Sequence, residues 1–347
     1  MKLRMIGKRL LAAASMVGAG LAMASCGHGN TVDFVYATSN LQNPGQVNAY
    51  LVDSLTGALK PLQDSPYPSG GRNPVYDVTT PNGKFLYVAN HDDNTIVDFA
   101  IGSDGKLYPL QTVNTPGTEP VALAVTPAGT LLYVLDYYAP ASPGQPSYTD
   151  LNPGPGAVVV LPINATNGTL GTALAVGATN YFQVQCFPTN LTITPDGSYV
   201  YVTNTNAVVV TTSPPVTGTV PTLPAGCPDS GTVSGFSVGA NGVTPLTPVS
   251  GSPWSTGAGS EPTGITADPG NTAIYVTDAA LNQLYTETIG SGGTLSVAST
   301  VATGTMPMGA TVAAPTSTSR SSTPWRALMP GAHARHSSPT SVEPSTW

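Results

Sequence analysis

The chain has 347 residues, a formal net charge of −7, only 8% charged residues, and 38 Gly and 34 Pro. That spread of Gly, Pro and β-branched residues leaves hardly a dozen consecutive positions fit for a helix, and the acidic balance excludes a nucleic-acid binder, which needs a clustered basic face. Regular apolar runs through the body separate it from a disordered Gly/Pro-rich chain.

At the N-terminus, Lys2, Arg4, Lys8 and Arg9 precede an apolar stretch, Leu10 to Met23, which ends in Ala24-Ser25-Cys26. A basic start, a short apolar run and a small-residue exit read as a secretory signal over residues 1–25, too short and wrongly flanked for a membrane span. Cys directly after Ala-Ser resembles the lipobox of bacterial lipoproteins. That resemblance implies acylation of Cys26, a lipid-anchored tether over 26–31, and an exported protein held in the cell envelope. At about 0.8 kcal/mol per buried CH₂, two acyl chains would hold it stably at a membrane. Ordinary secretion with an incidental Cys is the other reading.

From residue 32 one phrase recurs. Pro81-Asn82-Gly83-Lys84-Phe85-Leu86-Tyr87-Val88-Ala89-Asn90 returns from Pro127 to Asp136, from Pro195 to Asn204 and from Pro269 to Asp278, and Phe34 to Thr38 repeats it without the leading turn. Each full copy follows an alternating stretch that starts with Pro (Pro74, Pro120, Pro188, Pro262) and precedes a third strand and a weaker fourth. The unit is four antiparallel strands, the first two joined by a Pro-led turn in which Pro presets φ and Gly accepts a positive one. The first two turns lie about 46 residues apart, the period of a propeller blade. The sequence therefore predicts an all-β chain, a β-propeller of four-stranded antiparallel blades over residues 32–314. About five blades are visible, in a ring that is incomplete: the first unit starts at its second strand.

Tyr-Val-Ala-Asn at 87–90 and Tyr-Val-Thr-Asn at 201–204 resemble the YVTN-repeat propellers, the group containing seven-bladed lactonases similar to 6-phosphogluconolactonase. The resemblance implies hydrolysis of a sugar lactone or binding of a related carbohydrate. The same repeat also resembles non-enzymatic propellers, so a ligand- or protein-binding scaffold anchored at the membrane is the alternative.

Strand alternation places the Pro-led turns on one face. The segments before the innermost strands and the loops after the Tyr-Val strands then share the other face, the mouth of the channel. Two long insertions, about 137–156 and 207–231, belong to that mouth. Arg72, Glu119 and Glu261 lie just before innermost strands, while Asn90, His91, Asp136, Asn204 and Asp278 end or follow their neighbours. Lactone opening needs a base or nucleophile and a donor for the developing oxyanion. Glu119 or Glu261 is the candidate base, His91 an alternative base and Arg72 the oxyanion partner. Asn90, Asp136, Asn204 and Asp278 are candidate ligand-binding residues. Solvated rim charges or blade-to-blade hydrogen bonds are the plainer account of all eight. No cofactor fingerprint stands in a supporting context, and a single His in the body gives no multi-His metal site. Cys186 and Cys227 are expected to form a disulfide that staples the second insertion, given an oxidising compartment.

The last innermost strand begins at Pro307, but no Tyr-Val strand follows Pro315. Residues 315–347 turn Ser/Thr/Pro-rich, and Arg320, Arg326 and Arg335 appear after a span, 107–319, without any Lys or Arg. A shift of reading frame near Arg320 accounts for this: TCN codons for Ser321 and Ser322 read one base over give apolar residues. A genuine linker-like tail is the alternative, and the nucleotide sequence decides between them.

Overall fold

The computed structural model describes residues 33–53, 56–149, 152–205, 227, 230–239 and 245–312. The signal and tether expected over 1–31, with Cys26, and the Ser/Thr/Pro-rich stretch expected as a tail over 315–347 lie outside the described residues.

The described chain is five antiparallel sheets in sequence order. The first holds β1 (Asp33–Ser39), β2 (Gln46–Val52), β3 (Leu59–Pro61) and β4 (Tyr67–Pro68). The second holds β5 (Pro74–Thr79), β6 (Phe85–Asn90), β7 (Thr95–Ile101) and β8 (Leu107–Asn114). In the third are β9 (Thr118–Val125), β10 (Leu131–Tyr138), β11 (Pro155–Pro162) and β12 (Phe182–Cys186). The fourth has β13 (Pro188–Ile193), β14 (Tyr199–Asn204), β15 (Gly231–Val238), β16 (Leu246–Pro248) and β17 (Trp254–Gly257). The fifth has β18 (Pro262–Ala267), β19 (Ala273–Asp278), β20 (Gln283–Ile289) and β21 (Leu295–Ala302). Two three-residue 3₁₀ turns, His91–Asp93 and Ser291–Gly293, are the only helical pieces among the described residues.

Innermost strands of successive sheets pack side by side, β5 on β9, β9 on β13 and β13 on β18, as blades do around an axis. The first sheet begins with its Tyr-Val strand, β1, as its sequence implied. Its outer strand, like that of the fourth sheet, is broken into two short pieces.

The core lies between blades. Tyr36, Val47, Leu86 and Val97 fill the first junction, and Tyr87, Leu123, Val134 and Val159 the second. Leu135, Val160, Leu191 and Val202 fill the third, and Tyr201, Val233, Ile265 and Ile274 the fourth. Second strands face a neighbour on both sides, which is why β6 is buried at every position whereas the outer β8 and β21 are mostly exposed.

The recurrent Tyr is a fastener between blades. Tyr36 Oη–H donates to the carbonyl of Gly105, Tyr87 to that of Gly168 and Tyr201 to that of Gly293, each at 2.8 Å and each in the next blade's turn between third and fourth strands. Those glycines have φ of 79°, 76° and 82°. A Cβ on any of them would run into the ring of Phe34, Phe85 or Tyr199, two residues before the fastening Tyr. Tyr133 holds the same place in the third blade, and residues 240–244 lie outside the described residues.

Each innermost strand starts with a bulge at the residue after its Pro, namely Val75, Val121, Thr189 and Thr263. The residue before the Pro takes a left-handed backbone at Asn73, Glu119 and Phe187, with φ of 52°, 58° and 54°. Bulges of this sort re-aim the strand end next to functional surfaces.

Candidate functional site

The rim of the second and third blades gathers most of the charge-bearing candidates. Arg72 and Asn73 lead into β5, His91 to Asp93 form the 3₁₀ turn after β6, and Glu119 stands at the start of β9. Arg72 Nε donates to Asp93 Oδ1 at 2.6 Å, its backbone N–H to Asp93 Oδ2 at 2.7 Å, and Nη2 to the Asp92 carbonyl at 2.9 Å. Asn73 Nδ2 donates to Asp92 Oδ1 at 2.9 Å and accepts on Oδ1 from Asn40 Nδ2 at 3.0 Å. His91 Nδ1 meets Asp92 Oδ1 at 2.8 Å, and its Nε2 stands 3.8 Å from Glu119 Oε2. Asn94, with φ 56°, accepts the Glu119 backbone N–H on its Oδ1 at 2.7 Å and so fixes Glu119 from the blade before. His91 and Glu119 keep 27% and 34% of their side-chain surface open to solvent.

The electrostatics follow from these contacts. Burial raises the Asp92 carboxyl, but the hydrogen bonds from Asn73 and His91 and the charge of Arg72 outweigh it and hold Asp92 below the usual carboxylate range. The Arg72 backbone and side-chain hydrogen bonds hold Asp93 low as well. Both are ionised at neutral pH. With the proton on Nδ1 donated to Asp92, His91 Nε2 carries the lone pair and faces Glu119. The arrangement can take a proton from a water held beside Nε2 and Glu119, with a guanidinium close by.

The structure thus brings Arg72, His91 and Glu119 together and leaves Glu261 apart. Glu261 lies two blades on from Glu119. Its N–H donates to Asp278 Oδ1 at 3.1 Å and its carbonyl accepts from Ala279 at 3.0 Å; no ion pair or hydrogen bond among the described residues joins it to the cluster. Asn90, Asp136, Asn204 and Asp278 are fully buried beneath the rim. Asn90 Nδ2 donates to the Ser69 carbonyl, Asp136 Oδ2 accepts from Gly117 N–H, Asn204 Nδ2 donates to Ser234 Oγ, and Asp278 Oδ1 accepts from Ala280 and Leu281 N–H. A Cβ at Gly71 or Gly117 would sit within 2.8 Å of Asn90 or Asp136, so Gly71 fits Asn90 and Gly117 fits Asp136 as pairs.

Sequence reasoning did not single out Asp92 and Asp93. Their signal was an acidic His-Asp-Asp-Asn turn directly after a Tyr-Val strand.

Cys186 and Cys227 form a disulfide with Cα atoms 5.3 Å apart, tying the end of β12 to the loop after β14. Beside it lies a cavity of about 320 Å³ between β12 of the third blade and β15 of the fourth, lined in part by Gln183, Gln185, Ser234 and Phe236. Its lining brings amides, hydroxyls and apolar groups but no acid, base or cation. The first insertion starts at the rim, where the Tyr137 ring packs 6.0 Å from that of Phe187.

Stacked four-stranded sheets and a polar rim define the class: a β-propeller whose mouth carries ionisable side chains. Within that class, residues 30–138 match the family described as Lactonase, 7-bladed beta-propeller. A 6-phosphogluconolactonase of Formosa agariphila is 38% identical over 71 residues, 20% of this chain and 19% of that relative; the match thus spans under a fifth of the relative's length. Among solved structures, the periplasmic gluconolactonase PpgL of Pseudomonas aeruginosa aligns with a TM-score of 0.55 at 18% identity, over 78% of this chain and 68% of that one. Hydrazine synthase of Kuenenia stuttgartiensis aligns at 0.50 with 14% identity, over 80% and 73%. Such likeness shows the fold; the chemistry has to come from the site.

Proposed function

We propose that the protein hydrolyses the ring ester of a sugar lactone at the Arg72–His91–Glu119 rim, and that it does so outside the cytoplasm, anchored through Cys26. The observation that carries the reading is His91 itself, with Nδ1 on Asp92 at 2.8 Å and Nε2 facing Glu119 at 3.8 Å. A base oriented by a carboxylate is the recurring element of ester hydrolysis. Water held between Nε2 and Glu119 gives its proton to Nε2 while its oxygen adds to the lactone carbonyl. Asp92 stabilises the imidazolium, and N–H groups of Arg72 not used on Asp93 and Asp92 receive the oxyanion. Collapse breaks the ring C–O bond, the proton passes to the leaving oxygen, and a hydroxy acid departs. The names of the Formosa and Pseudomonas proteins support a lactone as substrate, and the second name an extracytoplasmic site.

The test is hydrolysis of D-glucono-1,5-lactone above its spontaneous rate. H91A and E119Q should each lower kcat by about 10² or more, R72A should lower it by a similar factor, and E261Q should keep the parent rate. If the parent never exceeds the spontaneous rate, the propeller is a binding scaffold. Anchoring is read separately, from the mass of the mature N-terminal peptide: a diacylated Cys26 is expected, and an unmodified one rules the anchor out.

A further inference from the structure

We infer that this rim selects an uncharged sugar lactone and turns away its phosphorylated counterpart, a conclusion about substrate class that rests on the reading above. Between residues 33 and 312 the only basic side chains besides His91 are Lys60, Arg72, Lys84 and Lys106, against seventeen Asp and Glu. None of the three lysines belongs to the rim. Lys84 sits in the turn between β5 and β6, at the opposite end of the blade, and Lys106 in the turn between β7 and β8, where its Nζ meets Asp64 at 2.8 Å. Lys60 lies on the outer β3. The third, fourth and fifth blades contain no Lys or Arg at all.

Arg72 is therefore the one guanidinium or ammonium that the described rim offers, and it is already matched. Asp93 takes both its Nε–H and its backbone N–H, and Asp92 and Glu119 complete an acidic surround. A phosphate monoester brings nearly two negative charges at neutral pH, and proteins hold it with clustered Arg or Lys or with a helix N-terminus. The rim has neither, and its 3₁₀ turn carries two carboxylates, Asp92 and Asp93. Like charges brought together in a half-dry site oppose binding strongly, which makes the same carboxylates a filter. The filter also acts on the product. An uncharged lactone becomes a carboxylate when opened, and the acidic mouth then pushes it out.

The experiment compares kcat/KM for D-glucono-1,5-lactone and its 6-phosphate, at about 20 mM and about 500 mM salt, since screening weakens a charge filter. The parent should favour the uncharged lactone by on the order of tenfold or more at low salt, and the ratio should shrink at high salt. D93N, which frees Arg72, should raise the value for the phosphate several-fold. A phosphorylated lactone cleaved as well as the uncharged one at low salt overturns the inference. If neither is cleaved, the proposed hydrolysis falls and the inference is judged by calorimetry instead. Tighter binding of the uncharged D-glucono-1,5-lactam than of 6-phosphogluconate upholds it; tighter 6-phosphogluconate binding, or binding of neither, overturns it.

Discussion

The hydroxyl of Thr263 donates to the carbonyl of Pro307 at 2.7 Å, repeating the bond from Thr189 to the carbonyl of Pro262 at 2.9 Å. Met306 shares the left-handed backbone of Asn73, Glu119 and Phe187, which precede three of the inner-strand prolines, with φ 53°. Its N–H is held by Asn282 Oδ1 at 2.7 Å, just as Asn94 holds Glu119. Residues 306–308 thus take the place of the next blade's inner edge, although 307–312 form no strand pairing. Val75 and Val121 fill the same bulge position in earlier blades, so Val fits there. T263V and T189V should each cost about 0.5–1.5 kcal/mol, read from the urea midpoint. A neutral T263V beside a costly T189V would mean that Pro307 does not dock in solution.

The tyrosine fasteners make a second prediction. Removing the hydroxyl in Y87F or Y201F leaves the buried Gly168 or Gly293 carbonyl without its donor and should cost about 1–3 kcal/mol. G168A should cost more, about 3 kcal/mol, because it adds a Cβ to a residue at φ 76° and drives it into the Phe85 ring. Equal losses in G168A and Y87F would show that the ring contact matters little.

The blades were legible because their phrase repeats: a Pro-led turn and a Tyr-Val strand occur in four copies, and alternation alone put Arg72, His91 and Glu119 on one rim. What the Tyr does was hidden, since its partner glycine lies 69 to 92 residues away in another blade. Glu119 and Glu261 look equivalent in sequence, each before an inner-strand Pro. They part in space because Glu119 faces the His91 turn of the preceding blade, whereas the fourth blade supplies no such group among its described residues. Asp136 looked like a ligand-binding side chain for a related reason: strand alternation gives a side chain's direction but not its depth.

The disulfide joins cysteines 41 positions apart in sequence. Loop-closure entropy in the unfolded chain makes such a link worth about 4 kcal/mol. The C186S/C227S pair should therefore unfold at clearly lower urea, and alkylation of the protein purified without reductant should leave Cys186 and Cys227 unlabelled until a reductant is added. Labelling without a reductant would show that the link does not form.

Asp136 ties stability to pH. Burial pushes its carboxyl up to about 8, against the opposing hydrogen bonds from Thr115 and the Gly117 N–H. Burial likewise raises Asp77, Asp98 and Glu287 to about 7. An unfolded Asp loses its proton near pH 3.9. Below about pH 4 both states are protonated and the stabilisation is fully present. Between about 4 and 8 the folded state keeps protons that the unfolded state has released, so unfolding free energy falls as pH rises through that window. The equivalent position is Asn90 in the second blade and Asn204 in the fourth, both buried, so a neutral amide fits this site. D136N should therefore fold well and flatten part of the pH slope, leaving the share owed to Asp77, Asp98 and Glu287. Urea unfolding of the parent and D136N at pH 5 and pH 8 checks this. A parent more stable at pH 8 than at pH 5, or a D136N slope as steep as the parent's, would mean that Asp136 is ionised in the fold and held by the Gly117 N–H and Thr115.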